Sequence, residues 1–493
     1  MEYDDLRGFL NLLERKQELI RIKESVDWDI EVGALSQEAI ERDSQAFICE
    51  NIKDYKDTAC RKLAMNYLGS WKRIAMALGM PENSHPREMV KEWRKRHKKL
   101  IKPVFVENGP CKENIVKGEE VNLLQFPIPK LHMRDGGRYA LTWHIVVTRD
   151  PETGLMNVGT YRGMLLDKRN IGMLLVPYQN WGLHAEKYRK RNMTMPVSVA
   201  LGVDPVTIMT SATPYPAGVN EYDVIGAIRG TPIPLVQCET NDLMVPADAE
   251  IILEGEISMD PATFRMEGPF GEYPGYYSSI DSTPKHVFNV KCITYRNDAI
   301  FTCGLIGCGP HLKPADCDYM GTLTLSAVTW DQLEINRVPG VQDVWFNQDV
   351  WGTNVFVSIK KAYYGHAKQV AFAIWAAQSG AYIGKYVVVV DDDIDVHNPN
   401  KIWAAMANRT NPSKDIIVVP HTGGGPLDPS VHPELKMKTG KVGRWDRVLI
   451  DATWDDTWEE RSEWGGLNHP PSGLAQEDEL KVVRKKWERY GFK

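Results

Sequence analysis

Met266-Glu267-Gly268-Pro269-Phe270-Gly271-Glu272 is the stretch around which this chain is organised. Two glutamates stand five residues apart, with Gly-Pro and Gly between them. Pro269 has no N–H and is tolerated in a sheet only at edges or bulges. Gly268 and Gly271 permit backbone angles closed to other residues. The segment is therefore expected to be a turn that presents both carboxylates on the same side of a pocket. Unequal solvation there would separate an anion from a proton donor at neutral pH. Taken alone, the spacing also fits a solvated turn with two surface acids, because perturbed acids mark sites only statistically.

Outward from this turn the sequence reads as strands from about residue 115 to 318. Tyr139 to Val147, Met156 to Leu166, Pro196 to Leu201, Ala249 to Ile257 and His286 to Tyr295 are β-rich and bounded by Gly, Pro, Asn and Asp. Helical stretches interrupt them near 183–190 and 221–228. Many strands with few helices predict a barrel-like domain. Before it, residues 4–18 read as a helix capped by Asp4 or Asp5, with Leu6, Phe9, Leu10 and Leu13 on one face. Leu19–Ile22 and Ala46–Cys49 read as short strands, and 35–43 and 70–79 as helices. The basic run Arg94-Lys95-Arg96-His97-Lys98-Lys99 is expected to be a solvated helix end rather than a nucleic-acid patch. After about 319, helix and strand alternate: His366 to Gln378 and Lys401 to Asn408 as helices, Tyr386 to Val390 and Ile416 to Val419 as strands, with a last charged helix at 475–490. That alternation argues for an α/β domain with a partly parallel sheet.

A chain of 493 residues suggests about two to four domains. Its net charge of -6 gives no global footprint for nucleic acid. The acidic start Met1-Glu2-Tyr3-Asp4-Asp5 does not read as a signal peptide, and no apolar run approaches the roughly 18 to 20 residues of a membrane span. Eight cysteines in this length do not make a disulfide scaffold, and Cys238, Cys292 and Cys303 are expected to be buried thiols. The expectation is a cytoplasmic protein with no membrane and no nucleic-acid partner.

Asn157-Val158-Gly159-Thr160-Tyr161-Arg162 is the second informative stretch. Gly159 within a strand implies close approach by a backbone or a ligand. Asn157 and Arg162 lie at an odd offset, so they serve one site only if the strand ends or bulges there, or if the site wraps it. Arg162 suits a two-pronged contact with a carboxylate or phosphate. Ser211-Ala212-Thr213-Pro214 and Gly218-Val219-Asn220-Glu221 combine small residues, whose backbone can meet an ion or phosphate, with a carboxylate able to ligate a hard cation. Glu221 also stands where a helix would begin, which by itself accounts for an acid. Cys303, Cys308, His311 and Cys317 do not have a usual structural zinc spacing. Gly423-Gly424-Gly425-Pro426 lacks the lysine and spacing of a P-loop and reads as a turn.

Taken together, Asn157 to Arg162, Ser211 to Glu221, Glu267 to Glu272 and Asp392-Asp393-Ile394-Asp395 resemble the UbiD-like decarboxylase family, through essentially the whole chain. The resemblance implies a mixed α/β fold: an N-terminal α/β segment (1–110), a central split β-barrel that binds prenylated FMN (111–318), and a C-terminal α/β domain used in dimerisation (319–493). It implies Arg162, Glu267 and Glu272 as the catalytic set. The flavin would be met by Asn157, Val158, Gly159, Thr160, Tyr161, Arg162, Gln179, Ser211, Ala212, Thr213, Pro214 and Glu221. Asn157 and Glu221 match ligands of a divalent ion, usually manganese (or magnesium). Ser211, Thr213 and Arg409 fall where the family binds potassium, largely through backbone oxygens.

The chain departs from the family at two places. Gln179 stands where the family commonly has a histidine ligand, with His184 as the alternative if the register slips. An amide oxygen is a weaker transition-metal ligand than imidazole. Ser379 stands where some members have a phosphate-meeting lysine, and Lys385 is near in sequence. The implied activity is reversible non-oxidative decarboxylation of an aromatic or α,β-unsaturated acid of the hydroxybenzoate/vanillate or ferulate/cinnamate kind. Burial is expected to raise the pKa of Glu272, the proton donor. The implied partners are a small aromatic acid and CO2, a flavin prenyltransferase that supplies the cofactor, and further copies of the chain in a homodimer or higher homo-oligomer. A physiological carboxylase and a non-catalytic binding or assembly subunit are the alternatives. A small residue at Gly425 is expected to leave room for a larger ring.

Overall fold

A computed structural model describes residues 1–177, 179–216, 218–277, 281–307, 309–425, 427–432, 444–475 and 477–492. The N-terminal helix Leu6–Arg15 is capped by Asp5, whose side chain accepts from Gly8 N at 2.7 Å, and it buries Leu6, Phe9, Leu10, Leu12 and Leu13. Such a cap contributes about 1 kcal/mol. The strands Leu19–Ile22, Ala46–Cys49 and Lys62–Met65 form one sheet with Ile300–Thr302, which returns from the end of the central region.

The central region is a ten-stranded sheet curled into a half-barrel. Its path runs through Tyr139–Leu141, Gly163–Leu165, Asn170–Met173, Thr283–Tyr295, Ile251–Ile257, Met195–Leu201, His144–Arg149 and Met156–Gly159. Arg265–Glu267 pairs on its edge with Thr283–Tyr295, which carries Glu267 opposite Thr283. Two expected single strands are each split. Thr142 and Trp143 interrupt the first, and Thr160 to Arg162 interrupt the second.

The C-terminal sheet has the order Val341–Phe346, Asn354–Ile359, Tyr386–Asp391, Arg444–Ala452, Ile416–Gly423. Its three inner strands are parallel, and Tyr386–Asp391 has a parallel neighbour on both sides, as its unbroken valine run requires.

Three sequence expectations need correction. The longest helix, Asp316–Ile335, spans the 318/319 boundary. It carries buried residues around its whole circumference and so shows no one-sided apolar stripe. The basic run does close its helix, with Lys95, Lys98 and Lys99 exposed, but it is solvated only in part. Arg94 is buried over the Trp330 ring and bonded to Asp331 at 2.9 Å, and Arg96 donates to the carbonyls of Leu78 and Ile228. The last helix is shorter than expected, Glu477–Arg484, with a separate 3-10 turn at Glu488–Tyr490.

Candidate active site

The turn at the head of the sequence reading is built by local chemistry. Gly268 adopts φ 92°, the left-handed region open to glycine, and the Gly268–Pro269 peptide is cis. Asp135 accepts from Gly271 N at 2.9 Å, and Gly136 N donates to the Pro269 carbonyl at 2.8 Å, so the turn is tied to the loop in front of Tyr139. Both glutamates are buried, Glu267 at 1% and Glu272 at 4% exposure. The surface-turn alternative is thereby excluded.

Arg162 joins them. Its Nη2 donates to Glu267 Oε2 at 3.1 Å, and its Nη1 is paired with Glu272 Oε1. Tyr139 Oη donates to the other Glu267 oxygen at 2.8 Å. The Phe270 ring lies 5.3 Å from the guanidinium and stacks obliquely on Tyr139. The strand Met156–Gly159 ends before Thr160, which frees Arg162 from strand alternation and lets it share a site with Asn157. Tyr139 and Phe270 escaped the sequence reading, because neither stands in a spacing that singles it out.

This group borders a cavity of about 640 Å³ between the half-barrel, the helix Asp316–Ile335 and the C-terminal sheet. Every residue from Asn157 to Arg162 lines it, as do Gln179, Ser211, Ala212, Thr213, Pro214, Glu221 and Glu272. Val158 N donates to Glu221 Oε2 at 3.1 Å, and Asn157 Nδ2 donates to Tyr161 Oη at 3.2 Å. The close approach foreseen at Gly159 is made by the Tyr161 phenol, which leaves no room for a side chain there. Glu221 opens the helix Glu221–Arg229, and burial pushes its carboxyl up to about 7. The Gln179 Oε1 atom is buried without a hydrogen-bond partner. His184, the alternative to Gln179, is bonded to Thr148 Oγ1 at 3.0 Å and is not among the cavity-lining residues. A partnerless amide oxygen and a buried carboxylate with a raised pKa on one cavity lining are a donor set that fits a hard cation. Among the described residues no cluster of three or more His, Cys, Asp or Glu is placed to hold a metal, so any such cation needs these amides.

The hydroxyls of Ser211 and Thr213 are spent on the carbonyls of Ile208 and Met209 at 2.9 and 2.7 Å. Arg409 is not brought to this group. It pairs with Asp391 and Asp393 and stacks over Trp454. Asp395 likewise serves an ion pair, with Arg87. Ser379 does line the cavity, its hydroxyl bonded to Thr329 at 2.6 Å, whereas Lys385 is held by Asp428 and Ser430. Gly425 leaves no space for a ring. A side chain there would collide with Trp445, and its φ is 49°. Of the zinc candidates, Cys303 is a buried free thiol, Cys317 lines the cavity, and Cys308 lies outside the described residues, as does Pro426 of the glycine turn. Cys238 and Cys292 are buried as expected. His144, unforeseen, also lines the cavity. Burial pushes its pKa down to about 3, so it stays neutral and is no acid catalyst near pH 7.

A central half-barrel cradling two buried carboxylates on one arginine defines a carboxylate-handling class of enzyme. Consecutive stretches of the chain match three family models described as the N-terminal, Rift-related and C-terminal domains of 3-octaprenyl-4-hydroxybenzoate carboxy-lyase, over residues 10–93, 102–310 and 318–452. The chain belongs to this UbiD family of carboxy-lyases. It is 32% identical to a phenolic acid decarboxylase of Sedimentibacter hydroxybenzoicus, over 99% of both chains. Among solved structures it is similar to the vanillic acid decarboxylase of the same organism in closed form (TM-score 0.87, 31% identity, 99% of both chains). Similarity to the open form is lower (TM-score 0.81, 30% identity, 99% of this chain and 100% of the other). It is also similar to HmfF of Pelotomaculum thermopropionicum, solved with FMN (TM-score 0.80, 28% identity, 98% and 100%) and, in an evolved dimeric form, with prFMN (TM-score 0.79, 27% identity, 98% and 99%). No helix among the described residues is long and apolar enough to cross a membrane.

Proposed function

We infer that the chain is a prenylated-FMN-dependent decarboxylase of an aromatic or α,β-unsaturated carboxylic acid. The observation that carries this reading is Arg162 bridging the buried Glu267 and Glu272 at the edge of a cavity large enough for a flavin. The flavin would be held by the Asn157–Arg162 segment and by Ser211 to Pro214, its phosphate through a divalent cation on Asn157, Gln179 and Glu221. Backbone oxygens near Ser211 and Thr213 would hold potassium. When bound, the cofactor supplies the sink for the electron pair released with CO2.

The chain's own groups do the rest. Arg162 offers a planar fork that orients the substrate carboxylate, and Glu267 and Tyr139 fix the plane of that fork. Glu272, on the cavity side of the same guanidinium, delivers the proton that replaces CO2 on carbon. Phe270, Tyr273 and Trp351 keep that end of the cavity apolar, which suits an aromatic acid and limits water. By microscopic reversibility the same residues would catalyse carboxylation at high CO2.

The test is co-expression with a flavin prenyltransferase and anaerobic purification. The expected result is a bound cofactor with the absorbance and mass of prenylated FMN, and CO2 release from one member of a panel of hydroxybenzoic, vanillic, ferulic and cinnamic acids. Purification without any flavin, with manganese and potassium supplied, would favour the non-catalytic subunit instead.

A further inference from the structure

Arg447 lies in the strand Arg444–Ala452, is 2% exposed, and points its guanidinium at uncharged oxygens only. Nη1 donates to the carbonyls of Gly380 and Gly384 at 2.8 and 3.0 Å. Nη2 donates to those of Ala381 and Gly423 at 2.5 and 3.0 Å, and Nε donates to Thr422 Oγ1 at 3.3 Å. That saturates all five donors of the fork. Among the described residues no carboxylate pairs with it. Burial pushes its pKa down to about 10, which leaves it charged at neutral pH.

A buried cation without a counter-ion is costly unless something uses it. The carbonyls it holds belong to two segments of the cavity wall. Ser379, Ala381 and Ile383 line the cavity on one segment, and Gly423 and Gly424 on the other. The first segment is the end of the short helix Gln378–Tyr382, whose last carbonyls have no partner within the helix. The second is where the strand Ile416–Gly423 stops. Arg447 is the tie between them. The Gly423–Gly424 peptide is trans, so with the Gly423 carbonyl on the guanidinium the Gly424 N–H is directed to the opposite side.

The charged residues described on the cavity lining are Arg162, Glu221 and Glu272, with Glu267 directly behind Arg162. Arg162 is already paired with Glu267 and Glu272, so little of its charge is free for an anionic ligand. A second positive charge behind the wall adds to it through fixed peptide dipoles, in a medium where charges act strongly. We propose that Arg447 is a positioning residue that locks the 380–384 and 422–424 walls together and provides the uncompensated positive charge that favours a phosphate-bearing flavin in the cavity. The proposal rests on the flavin reading above.

The experiment titrates the full-length cofactor-free chain, with manganese and potassium present, with FMN and with riboflavin, which lacks the phosphate. Wild type, Arg447→Met and Arg447→Lys are compared, and melting curves establish folding. Wild type is expected to prefer FMN. Arg447→Met should lose about tenfold in FMN affinity and much less for riboflavin. Arg447→Lys should retain the FMN preference while binding both flavins more weakly, because an ammonium cannot hold five acceptors. A folded Arg447→Met with an unchanged FMN-to-riboflavin ratio overturns the proposal. If that variant does not fold, Arg447→Lys decides, and unchanged binding of both flavins overturns it. Wild type that binds neither flavin fails the flavin reading and this proposal with it. Wild type that binds FMN while the variants match it fails the proposal alone.

Discussion

Tyr273 stacks on Trp351 across the cavity, with ring centroids 3.4 Å apart and planes 20° apart, one residue beyond Glu272. Tyr273 belongs to the Rift-related region and Trp351 to the C-terminal one, so this contact holds two parts of the family architecture together over the site. The similarity is greater to the closed than to the open form of vanillic acid decarboxylase. An aromatic pair is worth about 0.5–1.5 kcal/mol beyond its buried area. Trp351→Ala is therefore expected to shift the chain toward an open form by roughly 2- to 10-fold in population. Small-angle scattering should report a larger radius, and KM should rise more than kcat falls. An unchanged radius with an unchanged KM would show that the stack does not hold the two parts closed.

Glu272→Gln keeps the shape of the turn and removes the proton donor proposed above. Turnover should fall by about 100- to 10,000-fold with flavin content unaltered. Turnover near wild type would assign the proton to another group.

Tyr139→Phe deletes the hydroxyl bonded to Glu267 and leaves the ring packed on Phe270. The loss of one such bond costs about 1 kcal/mol. The expected effect is a roughly fivefold lower kcat with little change in KM, because the fork of Arg162 is loosened rather than lost. Steady-state kinetics on the acid found by the panel reads this directly.

Gln179→His replaces the orphaned amide oxygen with imidazole, a stronger ligand for transition metals. Metal analysis after dialysis against equal manganese and magnesium should show a higher manganese fraction than in wild type. Glu221→Ala should retain neither ion and should lose flavin along with it. Equal metal content in all three proteins would place the cation elsewhere.

Asp248 is only partly exposed, its side chain at 15%, and its carboxyl is pushed up to about 7, chiefly by loss of solvation and then by Asp204, with Arg229 opposing. Below about pH 4 it is protonated whether folded or unfolded. Between that and about 7 the folded chain keeps a proton that the unfolded chain releases, so its contribution to stability falls as pH rises through this window. Asp248→Asn removes the penalty. The variant should gain on wild type between pH 4 and pH 8, by an amount on the order of a few kcal/mol. A difference in melting temperature that is flat with pH would mean that this carboxyl is ionised in the folded protein throughout.

Much of the fold was legible because it is encoded locally. The Leu6, Phe9, Leu10, Leu13 stripe marked the first helix, and Val387 to Val390 marked an inner parallel strand. The helix Asp316–Ile335 was not legible, because a helix buried all round has no polar face to set its period. The basic run misled for a related reason. Arg94 reads as solvent-facing until Trp330 and Asp331, more than 200 residues away, are folded over it.

By itself the sequence determined which groups were available and how each backbone could present them: a glycine–proline turn between Glu267 and Glu272, a strand that breaks after Gly159, and an acid at the start of the helix Glu221–Arg229. Only the tertiary structure decided which of them meet. It brings Arg162 to glutamates about a hundred residues on and turns Gln179 rather than His184 to the cavity. It also leaves Arg409 on its aspartates and sets Arg447 behind the wall. The physical reason is range. Turns, caps and amphipathic stripes are set by neighbours a few residues apart, whereas ion pairs, burial and cavity walls are set by contacts that no local pattern of residues encodes.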